Sequence, residues 1–241
     1  MAAQTTTSRR TFVLVHGAWH GGWCWRRVSD LLEKRGHKVY APTLTGVCDR
    51  SHLLDAKTDL TTHVTDIVNL IEWERLADVV LCGHSYGGFV VSGVAEQAAD
   101  AIASIVFLDA FLPKDGERMA DLLSPKPREA LQALVAQGAT TMPPIPAAVF
   151  QVNEKDRAWV DGLCTPQPLA ALTQPIKLTG ARDRIAKKSY IRAKGYPSPS
   201  FDAAHERARS DASWRHYEVP CGHDVMVDMP ERLAEILLEV A

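Results

Sequence analysis

Val79-Val80-Leu81-Cys82-Gly83-His84-Ser85-Tyr86-Gly87-Gly88-Phe89-Val90-Val91-Ser92-Gly93-Val94-Ala95-Glu96 sets an apolar run, a glycine-flanked serine and a helix-compatible run in direct succession. A short apolar stretch halted by glycine reads as a buried strand, and the run from Phe89 reads as the helix that leaves it. A serine at such a corner is forced into a sharp turn that lifts its hydroxyl clear of the sheet edge. Glycine is needed on both sides, because a side chain there would collide with the neighbouring strand and helix. The serine–glycine spacing alone also fits an ordinary turn. The strand before it and the helix after it make Ser85 the candidate nucleophile.

Outward from this corner, apolar runs alternate with helical patterns, the signature of an α/β protein with a mostly parallel, doubly wound sheet. Thr11 to Val15 reads as a first buried strand ending at His16-Gly17, followed by a helix from Trp25 to Arg35 and a strand from His37 to Ala41. Leu60, Val64, Ile67, Val68 and Ile71 form one helical stripe. Ser104 to Leu108, Ser189 to Ala193 and His216 to Val219 supply later strands. The last helix opens at Pro230 and places Leu233, Ile236, Leu237 and Val240 on one face. The rhythm breaks between about residues 112 and 175, a segment with nine prolines between short helical stretches. That is too long for a plain loop. It reads as a helical cap inserted over the strand ends of a single domain spanning 1–241.

A chain of 241 residues can bury a large core as one domain. Its 46% hydrophobic and 23% charged residues are ordinary for a soluble globular protein. A formal charge of -2 offers no electrostatic footing for nucleic acid or an anionic membrane. Met1 to Arg10 is polar, without the apolar core of a signal segment, and no later run would span a bilayer. The five cysteines, Cys24, Cys48, Cys82, Cys164 and Cys221, are scattered and lack a C-x-x-C pair. They argue against a disulfide framework or a zinc site and fit a cytoplasmic protein. The oligomeric state is not fixed by these features, which are compatible with a homodimer.

An activated serine needs a base, a group that orients the base, and donors for an oxyanion. His223 is the base candidate: it follows the last strand, precedes the final helix, and obeys the chain order serine, acid, histidine. His37, His52, His63, His205 and His216 fall in helices, strands or polar loops, His84 sits beside the serine on a turn that aims it elsewhere, and His16 and His20 read as structural. The acid is contested. The turn after the next-to-last strand, Lys194 to Pro199, has no carboxylate. Asp183 precedes that strand and would lie a strand length, about 17 Å, away, and Asp202 lies well beyond the turn. Asp109 directly follows Ile105-Val106-Phe107-Leu108 at the same rim as Ser85 and is favoured, although a turn or cap role also fits it. The oxyanion donors should be the amides of Tyr86 and, from the glycine-rich loop His16 to Gly22, of Ala18.

With these residues the chain resembles the α/β-hydrolase superfamily, and within it the plant methylesterases and hydroxynitrile lyases with their bacterial esterase relatives. The resemblance is carried by Phe12 to Trp25, Gly83 to Gly88, Val106-Phe107-Leu108 with Phe111-Leu112-Pro113, and Gly222-His223. It implies an α/β-hydrolase fold and a cofactor-free, metal-free hydrolase with Ser85 as nucleophile, His223 as base, and Ala18 and Tyr86 as the oxyanion hole. The chain departs from the pattern where many relatives carry the acid, and where the lyases place a lysine it has Asp224-Val225. Cyanohydrin cleavage is therefore not expected. The leading expectation is a serine esterase acting on a small, fairly apolar carboxylic ester. Carbon–carbon cleavage by the same groups is an alternative, and so is a non-catalytic ligand receptor on the same scaffold, which the intact serine–histidine pair speaks against.

Overall fold

The apolar runs read as strands lie side by side, and their parallel register brings their C-terminal ends to one rim. In the computed structural model, which describes residues 9–241, β1 (Thr11–Val15) leads through a 3₁₀ turn at Gly22–Trp25 into α1 (Arg26–Lys34) and β2 (Lys38–Tyr40). Of the polar N-terminal stretch read as lacking a signal core, residues 1–8 lie outside the described residues. There follow α2 (Leu60–Trp73), β3 (Val79–His84), α3 (Gly87–Ala98) and β4 (Ile102–Leu108). Next come α4 (Pro125–Ala136), β5 (Thr141–Met142), α5 (Glu154–Leu163), β6 (Gln167–Pro168) and α6 (Leu169–Thr173). The chain closes with α7 (Ala181–Arg184), β7 (Lys187–Ala193), α8 (Pro199–Arg209), β8 (Trp214–Val219), α9 (Val225–Asp228) and α10 (Pro230–Glu239).

Among the described residues the main sheet has six strands, all parallel, in the order β2-β1-β3-β4-β7-β8. Its central strands are buried along their length, as a parallel sheet covered on both faces requires. The α2 stripe is realised with Leu60, Val64, Ile67 and Ile71 buried, while Val68 is only partly so. Asp59 caps that helix, accepting from Thr62 N at 2.9 Å and completing a reciprocal box with the Thr62 hydroxyl. No helix among the described residues is long and apolar enough to cross a membrane.

β4, β7 and β8 each begin two residues before the strands read from the sequence, α8 was not read at all, and two further differences bear on the site. β3 runs on through Gly83 and His84, because both still pair with neighbours, Gly83 with Val15 and His84 with Leu108. The glycine ends the apolar run without ending the strand. In the segment between β4 and β7, Thr141–Met142 pairs antiparallel with Gln167–Pro168 as a small separate ribbon that its proline content hides. Pro168 is tolerated there because this is an edge position.

The register decides which side chains meet. His84 lies opposite Leu108, Leu108 opposite Ile191, and Ala193 opposite Val219. Ser85, Asp109, Arg192 and the loop after β8 thus emerge together at one end of the sheet.

Candidate active site

Ser85 leaves β3 with a φ of +54°, a conformation that non-glycine residues rarely adopt. Its carbonyl accepts from Gly88 N at 3.0 Å and Phe111 N at 3.2 Å, and its own amide donates to Leu108 O at 3.2 Å, so the turn is held on three sides. The flanking glycines are sterically required. A Cβ on Gly83 would lie 2.6 Å from Gly87 O, and one on Gly88 would lie 2.0 Å from Phe111 O. Asp109 emerges from β4 with a φ of +40°, and Trp19, in the loop after β1, with +67°. Strained backbone of this kind clusters where side chains must be aimed.

The Asp109 carboxylate is fully buried and reaches across β7 to the loop that follows β8. Its Oδ2 accepts from His223 Nδ1 at 2.6 Å. Its Oδ1 accepts from Ala193 N at 3.0 Å and from the Arg192 guanidinium at 2.8 Å. With Nδ1 donating, His223 presents the lone pair of Nε2. The ring is packed among aromatics: Phe201 stacks on it at 10° and 5.2 Å, with Phe150 and Tyr196 at 5.3 and 4.9 Å. Its backbone is pinned by His223 N donating to Phe150 O at 2.9 Å. Ser85 and His223 line one cavity of about 110 Å³, walled by Trp19, Phe111, Leu122, Ile145, Phe150 and Phe201.

The rival carboxylates stand apart from the imidazole. Asp183 is exposed on α7, before β7 begins, and Asp202 is half-exposed on α8, where it accepts from Arg192 Nε at 2.9 Å. In the first loop, His16 Nδ1 donates to Gly17 O at 2.8 Å while Nε2 accepts from Leu44 N at 3.0 Å. Burial pushes this histidine down to about 3, so it stays neutral. Its bond fixes the carbonyl of the peptide that carries the Ala18 N–H, and hence the direction of that N–H. Tyr86 is buried with its hydroxyl 2.9 Å from His63 Nδ1, while His63 Nε2 lies 2.8 Å from Thr45 O; His63 is a satisfied core histidine.

Two groups behind the site were missed in the sequence. Arg192 looked like one residue of a buried strand, and Asp224 like the neighbour of a candidate base. Asp224 is fully buried and accepts from His20 Nε2 at 3.0 Å, while His20 Nδ1 donates to Ala18 O at 2.9 Å. With an acceptor at each nitrogen, His20 is an imidazolium. Burial opposes that charge, but Asp224 beside it outweighs burial and raises His20 above its ordinary value. Burial likewise opposes the Asp224 charge, yet His20 beside it holds its carboxyl well below the usual range. His84 is driven well down by burial and then by His223, and its Nε2 donates to His223 O at 3.1 Å. His84, His223 and Asp224 bring ligand atoms within 4.8 Å of one another. His84 Nε2 and His223 Nδ1 are already engaged, by His223 O and by Asp109, and Asp224 is paired with His20.

The His20–Asp224 pair gives a stability prediction. Removing one member of a buried ion pair costs about 3–5 kcal/mol, so Asp224→Asn should lower Tm by on the order of 10 °C for a chain this size. The depressed carboxyl contributes stability above its unfolded value, about 4, and loses it as pH falls below that. The raised imidazole contributes fully below about 6.5 and loses its share as pH rises through its higher folded value. The wild-type advantage over Asp224→Asn, measured by urea unfolding, should therefore be greatest at about pH 4.5–6.5 and narrow on both sides. A difference independent of pH would show that the pair is not ionic.

A parallel sheet with a strained serine at a strand-to-helix corner, and a histidine and a buried carboxylate beside it, defines an α/β hydrolase architecture. The chain belongs to the alpha/beta hydrolase family, whose model matches residues 12–236. It is 44% identical over 236 residues to a carbendazim hydrolyzing esterase from Nocardioides sp. (strain SG-4G), covering 94% of this chain and 97% of that protein. It is 26% identical to the putative chloroplastic methylesterase 14 of Arabidopsis thaliana, over 96% of this chain and 72% of that one. Among solved structures, an extracellular alpha/beta-hydrolase from a Paenibacillus species superposes with a TM-score of 0.84 at 26% identity, covering 96% of this chain and 99% of that one.

Proposed function

We propose that the protein is a serine hydrolase that cleaves a carboxylic ester of a small, fairly apolar substrate through an acyl-enzyme. The observation that carries this reading is the 2.6 Å contact from His223 Nδ1 to Asp109 Oδ2, on the rim of a cavity that Ser85 also lines. His223 Nε2 takes the Ser85 hydroxyl proton as Oγ bonds to the ester carbonyl carbon. The Ala18 and Tyr86 amides hold the resulting oxyanion. Collapse breaks the carbon–oxygen bond to the alcohol, which leaves with the proton from His223. Water, deprotonated by the same nitrogen, then releases the acid and regenerates Ser85. Asp109 keeps the Nδ1–H tautomer in place and stabilises the imidazolium that forms. No cofactor enters any of these steps.

The segment at about 112–175 supplies Met119, Leu122, Leu123, Pro127, Ile145 and Phe150 to the cavity wall, which supports its reading as a cap. A space of about 110 Å³ is well below that of pockets for drug-sized ligands and suits a short chain or a single ring. The esterase names of the relatives support ester hydrolysis here.

A fluorophosphonate probe, followed by peptide mass spectrometry, should modify Ser85, and a graded ester panel should show turnover falling steeply from short or single-ring acyl groups to long chains. Labelling of another residue, or no turnover of any ester by labelled-competent protein, would refute this assignment.

A further inference from the structure

Arg192 occupies the end of β7, just before the turn that lacks a carboxylate. Its side chain is 2% exposed, and all three of its nitrogens are engaged. Nη1 donates to Asp109 Oδ1 at 2.8 Å and to Ala193 O, Nε to Asp202 Oδ1 at 2.9 Å, and Nη2 to Tyr196 O at 2.7 Å. One guanidinium therefore ties together the buried carboxylate just after β4, a half-exposed carboxylate on α8, and the loop whose Tyr196, Pro197 and Ser198 wall the cavity. Only a planar fork with five donors can do this, and lysine cannot replace it.

The two Asp109 oxygens have different duties. Oδ1 takes two donors, which blocks rotation of the carboxylate and leaves Oδ2 for His223. The same contact is electrostatic. The guanidinium is a fixed positive charge 2.8 Å from the buried carboxylate and partly neutralises it. Asp202 draws off part of that effect from the solvent side. The remaining groups facing the pair are Tyr190 and Tyr196 from β7 and its turn, His84 from β3, and Cys221 and Asp224 from the loop after β8. His84 is held neutral by burial, and Asp224 is already paired with His20. Arg192 is the cation in direct contact with the pair.

We propose that Arg192 is a positioning residue that sets the orientation and the proton affinity of the Asp109–His223 pair, with Asp202 tempering its charge. The proposal rests on the hydrolase reading above.

The test is the pH profile of kcat/KM for wild type, Arg192→Met, Arg192→Lys and Asp202→Asn. Arg192→Met should move the acid limb to higher pH by about one unit, because the buried carboxylate loses its cation. Its rate on the plateau should fall by on the order of 10²-fold as the pair loses its alignment. Arg192→Lys should keep the limb near the wild-type position while remaining slow. Asp202→Asn, on an exposed position that tolerates change, should move the limb the opposite way by a few tenths of a unit with a near-normal plateau. Limbs that coincide in wild type and Asp202→Asn, or an equal shift in Arg192→Met and Arg192→Lys, would overturn the proposal. If Arg192→Met does not fold, Asp202→Asn decides. The His223 ring signal, followed by NMR against pH in wild type and Asp202→Asn, reads the same shift without turnover. Failure of the hydrolase reading is thereby separated from failure of the role given to Arg192.

Discussion

Replacement of Ser85 by alanine is expected to lower kcat by on the order of 10⁶-fold, the loss seen when a triad nucleophile is removed from a serine protease. The fold should persist: alanine is no larger than serine, and the turn is held by backbone bonds from Gly88, Phe111 and Ser85 itself that do not involve the side chain. His223→Ala should cost a similar factor, and the double variant scarcely more than either, because a nucleophile without its base and a base without its nucleophile leave the same residual rate from binding and the oxyanion donors. Single-turnover and steady-state assays on the three folded variants measure this. Multiplicative losses would show that Ser85 and His223 do not act as a unit, and substantial ester hydrolysis by Ser85→Ala would remove the serine from the mechanism.

Asp109→Asn should lower kcat by on the order of 10⁴-fold, as the equivalent change does in a serine protease. The contacts on Oδ1 make the reason specific to this chain. Arg192 and Ala193 N are both donors, so the amide of the variant must turn its oxygen to them and its NH₂ to His223. Nδ1 then has to accept, the ring proton moves to Nε2, and the lone pair that should receive the Ser85 proton is gone. Asp183→Asn, far out on α7, should leave activity within about twofold, since surface changes away from a site have small effects. Activity of Asp109→Asn within tenfold of wild type would transfer the orienting role to another group.

Ser85 is legible in the sequence because the elbow is local: strand, turn and helix occupy neighbouring residues, and glycine marks the places where backbones nearly touch. The helix faces of α2 and α10 are legible for the same reason, since a period of 3.6 needs no distant partner. His223 needs more, namely chain order, which the one-directional winding of a parallel sheet imposes. Asp109 follows from the lack of a carboxylate in the turn at 194–199 and from its own place after β4. The strand end at His84 and the ribbon of β5 and β6 were not legible. Each depends on pairing with a strand distant in sequence, and glycine or proline at those positions suggests a break when the partner is unseen.

The sequence by itself determined the alternation of strands and helices, the sharp corner at Ser85 and the chain order in which Ser85, Asp109 and His223 reach one rim, all of which follow from local stereochemistry and the handed connectivity of the fold. Only the tertiary structure decided that Asp109 Oδ2 meets His223 Nδ1 while Oδ1 is held by Arg192, that Asp224 is paired with His20, and that the cavity is small. These outcomes are set by register between β4, β7 and β8 and by competition among buried charges for partners. A buried charge must find its counter-charge wherever the packed sheet places it, and no spacing along the chain encodes that distance.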